Sequence, residues 1–409
     1  MHSTLLLSST FPPLVGGIER YIYNIYSRLP AQQVIVCAPR MAGDAEFDAH
    51  SPVRTVRVPE MLFSAYWWRR RGRALALGQL SLLCLRERIE VVQASRTFPE
   101  GIMAWMLKQV WGIPYLVHTH GLDFLEPMRN DWGQLYGKRI LTSAHRVVCN
   151  SSFTGEKLRS LGIAPDKITK INPGVDPHRF RPGKAEEIER AVQRLGLHNK
   201  RIILTVGRLV TRKGHDKVIE SLPLVLQEVP TAVYLIVGDG PTRNELARLV
   251  QEHGLEEHVV FAGRVAEQDL PAYYQIADLF VMPSREIEGD VEGFGIVFIE
   301  AGACEVPVIG GASGGMGDAI AHGETGFLVD PLNVDEIAQA IITLLKDDNL
   351  ARSMGKAGRT RAEREFSWAH AAERVQSIIE GLNGSKPFFS RMIDPRAVAR
   401  VVSTIVRKD

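Results

Sequence analysis

Short apolar runs alternate with amphipathic segments of helical length along almost the whole of this 409-residue chain. Strands separated by helix-length segments are typical of parallel sheets with right-handed crossovers. The pattern occurs twice, on either side of a passage between Pro173 and Gly183 that is rich in proline and glycine. We therefore predict an α/β protein with two Rossmann-like, doubly wound parallel-sheet domains that face each other across a cleft.

Ten of the apolar runs have the length and the flanking turn residues of strands. The first block contains the runs 5–9, 33–38, 91–94, 115–119 and 146–149. The second block contains the runs 201–206, 232–237, 259–262, 279–282 and 306–309. We place residues 1–174 in the first domain and residues 175–369 in the second. Two more helices are predicted near the end of the chain, at 368–382 and 395–406.

The composition excludes several classes of protein. Apolar residues make up 45% of the chain and charged residues 23%, which is typical of a soluble globular protein. No apolar run approaches the roughly 18 residues of a membrane span, and the start lacks the basic region of a secretory signal. The four cysteines have no metal-binding or redox spacing, so we predict reduced, buried thiols in a cytoplasmic protein.

Charge is unevenly distributed along the chain. Residues 1–174 carry a balance of +8, whereas the remainder carries −6. Much of the basic excess lies in Tyr66–Arg73, where aromatic residues precede four arginines. Such a segment suits the interface of an anionic membrane, although a solvated loop or a contact to an acceptor phosphate fits the same residues. A nucleic acid is not a predicted partner, because the net charge is only +2 and no recognised binding motif occurs.

Two glutamates stand eight positions apart around a glycine-rich turn. Glu300 follows four apolar residues, so we predict that it is buried and needs hydrogen-bonding partners, which ligand hydroxyl groups can supply. Glu292 precedes Gly293 and Gly295, where the chain enters a helix whose first N–H groups lack helical partners. Two carboxylates with free amides between them suit a polyhydroxylated, anionic ligand such as a sugar nucleotide.

Basic residues follow the first strand of the second block. Arg208 and Lys213 could both reach one diphosphate, which arginine grips with two hydrogen bonds and lysine attracts as a point charge. Arg212, between them, fits a solvated position equally well. Near the start of the chain, Gly16 and Gly17 open a helix and could offer backbone amides to a phosphate, but a plain turn explains them as well.

A pair of histidines closes a strand in the first block. His118 and His120 fall on one face of that strand, but no third or fourth ligand has the spacing of a zinc site. We therefore predict a structural His118 and a His120 that lies in the cleft. The acidic run 286–292 could hold a divalent ion, but a solvated loop is the favoured interpretation. No metal site is predicted.

These motifs occur together in a recognisable order. The chain carries Gly-Gly near its start, His-Gly after a mid-domain strand, Gly-Arg followed by Arg-Lys-Gly, and two glutamates separated by seven residues. It thereby resembles the retaining glycosyltransferases of family 4 over nearly its whole length. The segments Phe11–Ile18, Asp290–Val297 and Ser313–Gly315 are most similar to those of the bacterial phosphatidylinositol mannosyltransferases. The resemblance implies the GT-B architecture, with residues 370–409 crossing back onto the first domain.

The resemblance also implies a role for each motif. The catalytic residues that it implies are His120, Arg208, Lys213 and Glu292. The donor-binding residues that it implies are Gly16, Gly17, Arg208, Lys213, Arg264, Val265, Glu292, Gly293, Phe294, Gly295 and Glu300. Of these, Arg208 and Lys213 would bind the diphosphate, Glu300 the ribose, and Glu292 the transferred sugar. His120 would lie at the far side of that sugar, and the backbone at 264–265 would meet the base.

The activity implied is transfer of a hexose from a nucleotide-sugar co-substrate, without a cofactor or a required metal. Mannose from GDP-mannose is the expected donor group, and the expected acceptor is a hydroxyl group on a lipid or a lipid-linked glycan. The acceptor would attack from the side of the leaving group and pass its proton to the departing phosphate. Such an enzyme is expected in the cytoplasm, at the inner face of the membrane.

Other interpretations remain open. They are a UDP-sugar-dependent transferase with a soluble acceptor, a GT-B epimerase or phosphorylase, and a catalytically inactive sugar-nucleotide-binding protein. The complete set of motif side chains argues against the last. The chain also departs from the family pattern: Glu305 stands where a glycine is common, and Met316-Gly317-Asp318 stands where Pro-Glu is common. The second departure lies near the expected sugar site and leaves the identity of the donor open.

Overall fold

The computed structural model describes residues 2–14, 16–63 and 70–382. The chain divides into two compact units: unit 1 comprises Met1–Ile171 together with the segment from Trp368 onward, and unit 2 comprises Asn172–Ser367. The boundaries drawn from the sequence, at 174 and 369, lie within a few residues of these divisions. The helix predicted at 395–406 and the side chains of Tyr66–Arg73 lie outside the described part of the chain.

The described part of unit 1 forms a seven-stranded parallel sheet with the strand order β3-β2-β1-β4-β5-β6-β7. Its strands are β1 Thr4–Leu7, β2 Val34–Pro39, β3 Arg54–Val58, β4 Val91–Ala94, β5 Tyr115–Thr119, β6 Arg146–Cys149 and β7 Ile168–Lys170. Its first helices are α1 Gly17–Tyr26, α2 Asp44–His50, α3 Arg70–Arg86, α4 Glu100–Trp111, α5 Leu122–Leu125, α6 Asp131–Ser143 and α7 Ser152–Ser160.

Unit 2 forms a six-stranded parallel sheet with the strand order β10-β9-β8-β11-β12-β13. Its strands are β8 Arg201–Val206, β9 Ala232–Val237, β10 Val259–Gly263, β11 Leu279–Met282, β12 Val308–Gly311 and β13 Gly326–Val329. Its helices are α8 Ala185–Leu195, α9 His215–Glu228, α10 Arg243–Glu252, α11 Leu270–Gln275, α12 Ile296–Ala303, α13 Met316–Ala319, α14 Val334–Lys346 and α15 Asp348–Glu365.

The last described helix, α16 Trp368–Glu380, belongs to unit 1 although it follows unit 2 in the chain. It packs against α1, and the ring of Trp368 meets that of Tyr21 edge-on, with 6.2 Å between their centroids. The helix predicted at 368–382 is therefore confirmed. Within the described residues, no helix combines the length and the apolar character needed to cross a membrane.

Burial on both faces explains why the strands are so apolar. The central strands of both sheets, such as Thr4–Leu7 and Ala232–Val237, are buried along their whole length, as expected where helices cover both faces of a parallel sheet. All four cysteines are buried and none of them forms a disulfide within the described residues, as predicted. Burial raises the pKa of the Cys37 thiol to about 12, so this group stays protonated.

The order of the strands determines where ligands bind. In each sheet the chain starts in the middle and then builds outward in both directions, so the connections diverge from β1 and β4 in unit 1 and from β8 and β11 in unit 2. In open α/β sheets, ligands bind beyond the carboxyl ends of the strands at such points. The motif residues identified in the sequence follow the carboxyl ends of strands, except His118, which lies within β5.

Candidate active site

Charged side chains of opposite sign meet beyond β8 and β11 of unit 2. The Lys213 ammonium group contacts Glu292 Oε2, and Arg212 Nη1 donates to the same oxygen at 2.6 Å. Arg212 also forms an ion pair with Asp290, with 3.0 Å between Nε and Oδ1. Because the Arg212 side chain is only 21% exposed and pairs with two carboxylates, the alternative of a solvated arginine is wrong.

The opposite charges in this cluster act on the pKa values of Glu292 and Lys213. Burial by itself would raise the pKa of Glu292, but Lys213 and Arg212 outweigh it and lower the pKa to about 2. Burial lowers the pKa of Lys213, and the neighbouring Glu292 opposes that change. Two cations are therefore held in a partly buried place by carboxylates. An anionic ligand can take over one of these pairings, so that binding exchanges one ion pair for another.

A glycine brings the basic loop to this position. Gly214 has a φ of 76°, and a Cβ atom there would lie 2.3 Å from the carbonyl oxygen of Pro283, which follows β11. Only glycine fits this close approach. The loop that carries Lys213 thus lies directly against the segment leading to Glu292. Arg208, earlier in the same loop, is exposed.

The glycine-rich turn places the start of α12 beside the cluster of Lys213, Arg212 and Glu292. Gly295 has a φ of 87° and precedes the first residue of the helix. The carbonyl oxygen of Glu292 accepts a hydrogen bond of 2.9 Å from the Gly315 N–H, which fixes the turn. The Phe294 ring is buried against Phe366. The turn through Gly293 therefore presents backbone atoms and the Glu292 carboxylate, next to helix N–H groups that lack helical partners.

Glu300 lies in the second turn of α12 and is 3% exposed, so its predicted burial is confirmed. The Tyr274 hydroxyl donates to Glu300 Oε2 at 2.8 Å. Sequence reasoning missed this tyrosine, because an aromatic residue in a short helix gives no sign of its partner. Arg264 and Val265 follow β10; Arg264 is exposed and Val265 is partly buried.

In unit 1 the polar groups beyond β4 and β5 are tied mainly to the backbone. His120 Nε2 lies 3.0 Å from the Ser95 carbonyl oxygen. Since a carbonyl only accepts, Nε2 carries the proton and Nδ1 is left as an acceptor. Burial, with the neighbouring His118 and Arg96, lowers the pKa of His120 to about 3. The imidazole is therefore neutral at physiological pH.

Two carboxylates hold the loops around His120, and neither was assigned a role from the sequence. Asp123 accepts from the backbone N–H groups of His120 at 2.7 Å and Thr97 at 3.2 Å. Burial raises the pKa of Asp123 to about 6. The fully buried Glu100 accepts from the Ser9 N–H at 2.5 Å and from a serine hydroxyl beyond β4 at 3.1 Å. These bonds connect the loops after β1, β4 and β5.

The remaining predicted residues of unit 1 lie where the sequence placed them. Helix α1 begins at Gly17, and Gly16 is extended with a φ of −172°, a conformation open to any residue. A Cβ atom at Gly16 would lie 2.2 Å from Glu19 Oε2. His118 is fully buried, with Nε2 3.0 Å from the Tyr26 hydroxyl. Across the described residues, no three side chains of the metal-binding types lie together.

Comparison with known proteins assigns the chain to a family. The profile described as "Glycosyltransferase Family 4" matches residues 15–179, and that described as "Glycosyl transferases group 1" matches residues 187–361. A GDP-mannose-dependent alpha-(1-6)-phosphatidylinositol monomannoside mannosyltransferase of Mycolicibacterium smegmatis is 32% identical, over 92% of this chain and 98% of that protein. The chain belongs to the family 4 glycosyltransferases. The resemblance recognised in the sequence is confirmed, and the protein is a glycosyltransferase.

Two further similarities bear on the acceptor and the fold. A D-inositol 3-phosphate glycosyltransferase of Corynebacterium aurimucosum is 33% identical, over 68% of this chain and 68% of that protein. Among solved structures, Anabaena HepE in complex with UDP matches with a TM-score of 0.80, over 93% of this chain and 100% of that one. At 20% identity this likeness shows the fold alone, and it confirms the predicted GT-B architecture of this glycosyltransferase.

Proposed function

We propose that this glycosyltransferase moves mannose from GDP-mannose to a hydroxyl group of an inositol-containing lipid, with retention of configuration at the sugar. The observation that carries the proposal is the cluster of Lys213, Arg212 and Glu292 beside the start of α12. Its two cations suit a diphosphate, and its carboxylate suits sugar hydroxyls. The M. smegmatis relative, named for GDP-mannose and a phosphatidylinositol mannoside, supports both substrates.

The donor would be held along the carboxyl edge of the unit 2 sheet. Lys213 and the exposed Arg208 bind its diphosphate, while Glu300 accepts hydrogen bonds from its ribose. Glu292 turns from the cations to the mannose as the diphosphate arrives. The backbone around Arg264 and Val265 receives the base. In unit 1, the neutral His120 offers Nδ1 as an acceptor for a substrate hydroxyl. The open space beside Gly17 leaves room for a phosphate at the start of α1, and the Glu19 side chain, which lies against Gly16, moves aside when that phosphate binds.

Glycosyl transfer then needs no protein nucleophile. The bond between the anomeric carbon and the diphosphate oxygen breaks, and the acceptor oxygen bonds to the same face of that carbon. The acceptor proton passes to the departing diphosphate oxygen, so atoms and charge balance. Lys213 and Arg208 stabilise the negative charge that develops on the diphosphate. We propose that these side chains do so without a metal ion, so that EDTA leaves the rate unchanged.

The acceptor chemistry admits one alternative supported by a specific relative. The C. aurimucosum protein is named for inositol 3-phosphate, a soluble acceptor. Transfer of radiolabelled mannose to phosphatidylinositol mannosides in detergent, compared with transfer to inositol 3-phosphate, separates the two candidates. Product in the organic phase supports the lipid acceptor. Labelled product confined to the aqueous phase replaces the lipid with the soluble acceptor.

A lipid acceptor requires access to a membrane, and we propose that the protein acts as a peripheral protein at the cytoplasmic face. Tyr66–Arg73 would supply the contact through its aromatic and basic residues. Flotation with vesicles containing anionic lipid should recover the wild type, and much less of a variant with alanine at 67–71. A control variant keeps that segment and replaces Arg54, a basic residue that pairs with Glu87 on the surface. Equal recovery of wild type and the 67–71 variant would refute this contact.

The first test concerns the donor. We expect GDP, rather than UDP or ADP, to raise the melting temperature of the purified protein, because a ligand that binds only the native state stabilises it. EDTA should not change this shift, and Arg208→Ala should abolish it. A shift with UDP alone would redirect the proposal to a UDP-sugar. No shift with any nucleotide would remove the transferase mechanism proposed for this site.

A further inference from the structure

Tyr274 lies behind Glu300 in the core of unit 2. It belongs to α11, its side chain is fully buried, and its hydroxyl group donates to Glu300 Oε2 at 2.8 Å. The bond joins a neutral donor to a carboxylate, a class of hydrogen bond stronger than one between neutral groups. Because Tyr274 has no exposed surface, it does not contact a ligand itself, and its bond to Glu300 is a route by which it can act on one.

The ring of Tyr274 is held by aromatic neighbours. It meets Phe180 edge-on, with 5.7 Å between centroids and an angle of 76° between the planes. It also lies 5.9 Å from the ring of Phe280, which in turn packs edge-on against Phe298 of α12 at 5.2 Å. With the ring fixed on these sides, the hydroxyl group has a fixed position. The helix that carries Glu300 is packed against the same aromatic group.

We infer that Tyr274 is a positioning residue that orients the Glu300 carboxylate toward the ribose hydroxyls of the donor, and thereby sets the preference for ribose over deoxyribose. This inference rests on the proposed function, which gives Glu300 the ribose. A carboxylate can accept several hydrogen bonds, so the bond from Tyr274 leaves capacity for a ligand. Its effect is to restrict the rotation of the carboxylate, which prepares the site before the nucleotide binds.

The preference for ribose over deoxyribose depends on the orientation of the Glu300 carboxylate before the nucleotide binds. A site built to accept a hydrogen bond from a substrate hydroxyl rejects the analogue that lacks it, because a buried polar group is then left unpaired. A carboxylate that turns freely finds other partners, and the analogue loses less. Removing the tyrosine hydroxyl should therefore weaken binding of the ribonucleotide and leave binding of the deoxy analogue unchanged.

The test uses the whole enzyme with GDP and 2′,3′-dideoxy-GDP, whose Kd values are measured by calorimetry. The wild type should prefer GDP by tenfold or more. Tyr274→Phe removes one oxygen atom and keeps the ring, and should weaken GDP binding by about tenfold with no change for the dideoxy analogue. Tyr273→Phe is the matched control, since Tyr273 is the neighbouring residue of α11 and is 8% exposed. It should bind both nucleotides as the wild type does.

The possible results separate failure of the inference from failure of the proposed function. A wild type that binds both nucleotides equally would show that Glu300 does not hold the ribose, and the donor site itself would be wrong. A wild type that discriminates, with Tyr274→Phe weakening both nucleotides alike, would reduce Tyr274 to a structural role and overturn the inference. A double variant gives an independent check: in a Glu300→Gln background, Tyr274→Phe should no longer change the ratio of the two Kd values.

Discussion

The two units carry their functional groups at the same edge of similar sheets, but they hold them in different ways. In unit 1, backbone groups fix the functional side chains: a carbonyl oxygen accepts from His120, and backbone N–H groups donate to Asp123. In unit 2, the charges fix one another, because Lys213 and Arg212 share one oxygen of Glu292. A network bound to the backbone can keep its geometry when a ligand arrives. A cluster of mutual ion pairs must exchange partners.

This difference matches the groups that each unit is proposed to bind. A neutral imidazole with a fixed tautomer suits the uncharged hydroxyl groups of a sugar or an acceptor. Balanced cations suit a diphosphate, because the carboxylate keeps them paired until the ligand replaces it. The contrast also predicts where substitutions act: in the charge cluster of unit 2 on catalysis and donor affinity, and at the fully buried His118 of unit 1 on stability and its pH dependence.

The largest effect is expected from removing a cation of unit 2. Lys213→Ala or Arg208→Ala should lower the turnover of mannosyl transfer by about 10²–10³, the usual cost of losing one preorganised donor to developing charge. Lys217→Ala is a suitable control, since Lys217 lies nearby on α9 and pairs with Glu220. Steady-state kinetics with saturating GDP-mannose measure the effect. Near-normal turnover in a folded Lys213 or Arg208 variant would contradict the proposal that these side chains bind the diphosphate.

The exchange of partners makes a sharper prediction for Glu292. Glu292→Gln removes the charge that neutralises Lys213 and Arg212, so the GDP diphosphate meets less competition for Lys213. We expect GDP to bind several times more tightly, while mannosyl transfer falls by about 10² because the sugar loses its carboxylate. Calorimetry with GDP and a transfer assay measure the two quantities. Weaker binding of GDP by this variant would show that Glu292 organises the cations instead of competing for them.

We expect a buried histidine of unit 1 to make the free energy of unfolding decrease in acid. Burial lowers the pKa of His118 to about 4, below its ordinary value of 6.5. The unfolded state therefore binds this proton more readily than the folded state does. As a result, the free energy of unfolding is highest above pH 6.5 and decreases as the pH falls toward 4. Over this range His118 accounts for about 3 kcal/mol of unfolding free energy.

Urea denaturation at pH 7, 5.5 and 4.5 tests this sign. His118→Gln should be less stable than the wild type at pH 7, because the bond to Tyr26 is altered, but its stability should fall less as the solution is acidified. His50→Gln, at an exposed position of α2, should keep the slope of the wild type. Parallel slopes for wild type and His118→Gln would contradict the assignment of a buried neutral imidazole.

The sequence predicted the central strands well and the outer strands poorly. All ten predicted runs correspond to strands, because a strand covered on both faces must be a continuous apolar run. The three that were missed are β3, β7 and β13, and the topology explains them. Each lies at an edge of its sheet, with one neighbouring strand. Arg54–Val58 alternates with charged residues and Ile168–Lys170 is only three residues long, so neither forms an apolar run.

The sequence allowed us to predict those residues of the site that come directly after a strand. Glu300 could be recognised as buried from its apolar neighbours alone. The pairing of Arg212 with Glu292 could not, because it joins residues eighty positions apart through the close approach at Gly214. The bonds from Tyr274 to Glu300 and from the Ser9 N–H to Glu100 are also long-range. A single sequence shows which residue types are present at a site. It does not show their distant hydrogen-bond partners, because these are set by how the loops after different strands pack together.

The smallest effect concerns the end of α12, the helix that carries Glu300 in unit 2. Glu305, which replaces a glycine common in the family, has a φ of 61° and is exposed. A left-handed conformation destabilises the folded state by about 1–2 kcal/mol for a residue with a side chain. Glycine avoids this cost, but it lowers the free energy of unfolding by about 0.4–1 kcal/mol because the unfolded chain becomes more flexible. Glu305→Gly should therefore raise the unfolding free energy by about 0.5–1 kcal/mol and leave transfer unchanged. Glu324→Gly, at an exposed turn position, should destabilise slightly in the same urea titration. If both variants lose stability alike, the end of this helix carries no strain, and the departure from the family pattern at Glu305 is without a structural cost.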